Sequence, residues 1–125
     1  MWSKALRLDA LVRDPNALHV MTVEYVCRHA KDFDLVHFHL DYYPFSVMSR
    51  QVRPFLTTLH GRLDLPEHQP VFSVFSSVPL VSIPNSQRRP ISNANWIGTV
   101  HGLPISLLTP RPVGPSYLAF LGRSD

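Results

Sequence analysis

The sequence predicts an α/β fold in which a parallel sheet is flanked by helices. Four short runs rich in β-branched and aromatic residues, at 35–39, 55–59, 80–83 and 96–100, alternate with stretches of helical character. That alternation is the mark of right-handed βαβ crossovers. The first run ends at His39 and the second is followed at once by His60. A parallel strand that stops at a polar residue delivers that side chain to the sheet edge, where open α/β folds place their ligands.

Each element has its own local reason. Asp14 followed by Pro15 is a helix start, a capping carboxylate before a residue whose fixed φ suits the first turn. Leu18, Met21, Tyr25 and Val26 are expected to keep one apolar face through to Ala30, with Arg28, His29 and Lys31 at the cation-favouring end. The strand at 35–39 follows. A shorter helix is expected over 42–52, ended by Arg53-Pro54 before the strand at 55–59. Residues 67–76 read as a further helix with Pro66 near its start, and 85–89 as a single helical turn after the third strand. From 104 to 116 the prolines at 104, 110, 112 and 115 make a stiff connection, read here as an interdomain linker. The run at 117–123 reads as a fresh strand entering a glycine turn, so the chain is expected to be part of a longer protein.

Composition narrows the functional classes. The chain is 45% hydrophobic and 17% charged, which is globular, and its 12 prolines imply rigid loops rather than disorder. The net charge of +3 is interspersed, with Arg88-Arg89 the one basic pair, so no nucleic-acid stripe is expected. The single cysteine, Cys27, excludes an internal disulfide, fits a reducing compartment and reads as a helix-face residue. Charges at Lys4, Arg7, Asp9 and Arg13 interrupt the first residues, which argues against a signal peptide or spanning helix and for a cytoplasmic location.

Three sets of residues carry candidate chemistry. His39 and His60 should share one rim, with Asp41, Gly61 and Arg62 in the same loops. Imidazole can donate to an oxyanion or a sugar hydroxyl, a carboxylate can accept a hydroxyl proton, and glycine admits a ligand close to the backbone. The plain alternative for these residues is loop capping. His37, His39 and Asp41 also spell His-x-His-x-Asp, as in the ligand sets of binuclear metallohydrolases, and His101 could be a later ligand. Tyr42, however, stands where a further histidine belongs, and His37 is equally a hydrogen-bonded histidine of the sheet. Asn85 to Arg88, with Ser86 among them, opens a short helix after a strand and could turn N–H groups toward an anion or merely cap itself. Nucleophile-elbow, Walker and dinucleotide-binding motifs are absent from the sequence. Phe72, Phe75, Trp96 and Phe120 are expected in the core.

The order of motifs, F-D-L-V-H-F-H from Phe33, L-T-T-L-H-G-R-L-D from Leu56, V-S-I with Q-R-x-P from Val81, N-W-I-G-T-V-H-G-L-P from Asn95 and Y-L-A-F-L-G-R from Tyr117, resembles the bacterial family 4 retaining glycosyltransferases of GT-B architecture. The resemblance implies a Rossmann-like acceptor-side domain over 1–103, the linker 104–116, and the first strand of a donor-binding domain at 117–125. It further implies transfer of a hexosyl group from a nucleotide-diphosphate sugar to a sugar or glycan acceptor, without a cofactor or obligatory metal. His60 would lie near the transferred sugar as the catalytic group, with His39, Asp41, Gly61, Arg62 and Ser86 binding substrate. Arg123, with Gly122, would begin the loop that holds the donor diphosphate. The glycine-rich first loop, the lysine after Arg123 and the paired-glutamate donor motif of that family are not among these residues, so a fragment inactive alone is expected. The rival readings are a metal-dependent hydrolase using His37, His39 and Asp41, and a non-catalytic truncated gene product.

Overall fold

A computed structural model of the chain describes residues 11–100; the linker at 104–116, the strand at 117–125, His101, Phe120 and Arg123 lie outside them. Four strands, β1 (Val36–Phe38), β2 (Phe55–Thr58), β3 (Leu80–Ser82) and β4 (Trp96–Thr99), form one sheet in the order β1-β2-β3-β4. Every pairing is parallel, as an α/β Rossmann-like fold requires. Between β3 and β4 the register slips by one residue, so that Leu80 lies beside Trp96 but Val81 lies beside Gly98.

Helix α1 (Pro15–His29) starts as expected, with the Asp14 carboxylate accepting from the Asn16 N–H at 2.9 Å. Its buried face matches the expected one in part: Val26 and Ala30 pack on the core with Cys27, but Val23 is the buried position above them, while Met21 and Tyr25 are each 66% exposed. Both sets repeat at helical spacing, so periodicity alone left the choice open, and contact with the sheet decided it.

Helix α2 is confined to Phe45–Met48 rather than 42–52. Pro44 is the reason: it has no N–H to bond one turn back, and it disfavours helical backbone at Tyr43. Beyond Ser49 the chain closes in tight turns, Arg50 N–H to Val47 C=O and Gln51 N–H to Met48 C=O. Helix α3 (His68–Val74) tolerates Pro70 because its first turn has no carbonyl waiting for that N–H. Asn85–Ile91 is a 3-10 segment, longer than the single turn expected.

One hydrophobic cluster joins these elements. Val36, Phe38, Phe55 and Leu80 from the sheet meet Phe45 and Met48 of α2, Phe72 of α3, and Leu63 and Ile91. Strand alternation turns His37, Leu56 and Thr58 to the opposite face, where His37 is exposed. Among the described residues, no helix is long and apolar enough to cross a membrane.

Candidate functional site

The register of β1 and β2 assembles the site. Phe38 lies beside Thr57, so continuing both strands in step brings His39 level with Thr58 and Asp41 level with His60. His39 and His60 therefore leave the same end of the sheet on the same face. Their rings meet: His39 Nδ1 is 2.7 Å from His60 Nε2, with ring centroids 5.0 Å apart. One ring carries the proton that the other accepts, and each keeps a second nitrogen for a ligand. His37 extends the column, its ring centroid 4.5 Å from that of His39 and its Nε2 bonded to Thr58 Oγ1 at 2.8 Å.

Asp41 closes this corner. Its Oδ1 accepts from the His60 backbone N–H at 3.4 Å. Its φ of 46° lies in the left-handed region, which Asp tolerates better than most side chains. Buried Thr57 supports the turn, its hydroxyl donating to Phe38 C=O at 3.1 Å and reaching Asp41 C=O at 3.4 Å. Gly61 is in the same loop but needs no glycine geometry, since a Cβ there would sit 3.9 Å from Asp41 Oδ2 in ordinary contact.

Electrostatics favour a neutral His39. Partial burial lowers its pKa, and the neighbouring charges of His37 and His60 lower it further. Arg62 pairs with Asp64 in a bidentate fork, Nε donating to Oδ1 and Nη2 to Oδ2, both at 2.7 Å. That fork draws the Asp64 carboxyl down to about 2. Ser86 is exposed at the start of the 3-10 segment, with no side-chain bond among the described residues.

Gln87, which the sequence places only within the short helical turn after the third strand, organises the corner. Gln87 Oε1 accepts from Ile83 N–H at 2.9 Å, while Nε2 donates to Leu59 C=O at 3.1 Å and to Gly61 C=O at 2.9 Å. Those two carbonyls flank His60, so one amide ties the His60 loop to the end of β3. A half-buried Gln beside a strand end is the signal that could have found it, since such an amide needs several partners.

The His37, His39 and Asp41 set does not form a metal cradle. Among the described residues no three His, Cys, Asp or Glu side chains are grouped to hold an ion. His37 instead takes the hydrogen-bonded sheet role that the sequence also allowed.

No protein-family model matches the chain, and no curated protein matches it.

Proposed function

We propose that the chain carries the acceptor-side site of a retaining glycosyltransferase of the family 4 type, with His60 the group nearest the reacting sugar. The observation that carries the reading is the His39–His60 ring pair at the C-terminal rim of a parallel sheet, beside Asp41. The succession of motifs running through that rim supports it further.

In this reading an acceptor hydroxyl attacks the anomeric carbon of a nucleotide-diphosphate sugar. The carbon–oxygen bond to the diphosphate breaks, and the hydroxyl proton passes to the departing phosphate oxygen. The transition state resembles an oxocarbenium ion, and configuration is retained. His60 donates a hydrogen bond to the transferred sugar, worth most where charge redistributes. His39 sets which His60 nitrogen carries the proton, as the partner of a paired histidine does. Gln87 and Asp41 hold the loop in place.

The test is ring-nitrogen NMR of the full chain, titrated with uridine and guanosine diphosphate sugars and with methyl glycosides. Saturable shifts at His39 and His60, abolished in His60→Ala, are expected. A panel that leaves both rings unmoved refutes the reading.

A further inference from the structure

A second polar centre lies toward the other edge of the sheet, at β3 and β4, and shares no residue with the histidine pair. Between Glu67 and Asp125 the sequence contains no aspartate or glutamate, yet Arg88 and Arg89 sit there side by side. Elsewhere Arg28 pairs with Glu24 and Arg62 with Asp64. Arg88 and Arg89 have no carboxylate partner among the described residues, and every charged or hydroxyl contact of Arg88 is to a neutral group.

Those contacts fix its orientation. Arg88 Nε donates to Ser82 Oγ at 2.9 Å and Nη2 donates to Thr99 Oγ1. Ser82 Oγ lies 2.7 Å from Thr99 Oγ1, and Thr99 donates to Asn85 Oδ1 at 2.7 Å. The hydroxyl protons thus run in one direction, from Ser82 to Thr99 to Asn85, leaving both oxygens free to accept from the guanidinium. Trp96 stacks on it, with Cζ 5.3 Å from the ring centroid. The side-on fork of Arg88 is consumed by hydroxyls, and the end-on fork is not. A half-buried guanidinium held rigid without a counter-charge is costly unless something anionic completes it.

Beside it opens a cleft of about 570 Å³ lined by Asn85, Arg88, Arg89, Ser92, Asn95 and Trp96, with no acidic side chain in its wall among the described residues. We propose that this cleft binds the phosphate group of a small anionic ligand. The free fork of Arg88 matches two phosphate oxygens, Arg89 adds the second positive charge that a dianion needs, and the amides and Ser92 supply neutral donors. The guanidinium bridges β3 and β4, and β3 lies next to β2, so the centre is one strand, about 5 Å, from the strand that leads to His60. Gln87, beside Arg88, links it to the His60 loop, but the lining of the cleft includes neither His39 nor His60, so its occupancy does not depend on glycosyl transfer.

Trp96 makes the test direct. In a Trp2→Phe background its fluorescence is followed while the full chain is titrated with inorganic phosphate at constant ionic strength, with acetate as the carboxylate control. A saturable change with phosphate is expected, weakened about tenfold or more by Arg88→Lys, which keeps the charge and loses the fork. Arg89→Ala, at an exposed position, is expected to weaken it about tenfold without disturbing the fold. Absence of saturation, an equal response to acetate, or wild-type affinity in the Arg89→Ala chain would each overturn the proposal.

Discussion

Replacing Gln87 with alanine should loosen the His60 loop and destabilise the whole domain, because one amide serves three backbone groups. Two of its bonds go to the carbonyls of Leu59 and Gly61, the third comes from the part-buried N–H of Ile83. A lost hydrogen bond costs about 1 kcal/mol net, and a part-buried donor left unsatisfied adds roughly 1–3 kcal/mol, so the sum is about 2–4 kcal/mol. With a urea slope of about 2 kcal/mol per molar, the unfolding midpoint should fall by about 1–2 M. The assay is urea unfolding followed by circular dichroism, alongside the His60 ring resonances in the native state. Gln87→Glu is the informative companion, since it keeps the acceptor for Ile83 but turns a carboxylate toward two carbonyls. A loss below about 1 kcal/mol in Gln87→Ala, with His60 resonances unmoved, would refute the clamp.

Two further outcomes follow from the structure. The lowered pKa of His39 means that folding favours its neutral ring; the stability it contributes is present above the unfolded value of about 6.5 and is lost as pH falls through the folded value. Urea midpoints taken on either side of that window should decline toward acid more steeply in the wild type than in His39→Gln, and parallel curves would contradict the assignment. Phe45 is fully buried and meets Phe72 and Phe75 edge to face, each at 5.8 Å between centroids. Phe45→Ala should therefore cost about 3–5 kcal/mol in a thermal or urea melt, and a cost under about 1 kcal/mol would show that the core closes over the gap.

Local signals carried much of the architecture. Asp14-Pro15 marks the start of α1 because capping and a fixed φ act within a few residues. The strand runs are legible because a buried parallel sheet demands apolar, β-branched sequence over short lengths. His39 and His60 were expected on one rim for the same reason: each sits at a strand end, and strands joined by crossovers point the same way. Helix α2 starts later than the expected 42 because Pro44, itself a local signal, disfavours helical backbone before it.

The remainder depended on which chain segments meet. Arg62 forms a fork with Asp64 two residues on, a pairing set by the conformation of their loop. Gln87 is an ordinary polar residue until β2 and β3 lie side by side and put Leu59, Gly61 and Ile83 within its reach. Sequence alone determined the class of fold, the direction of its strands and the rim to which two histidines belong, since those follow from patterns a few residues long. Only the tertiary structure decided that the two imidazoles touch, that α1 buries Val23 rather than Met21, and that Arg88 has no carboxylate partner among the described residues. Those are contacts between residues distant in the chain, and their geometry is set by register and packing rather than by any local preference.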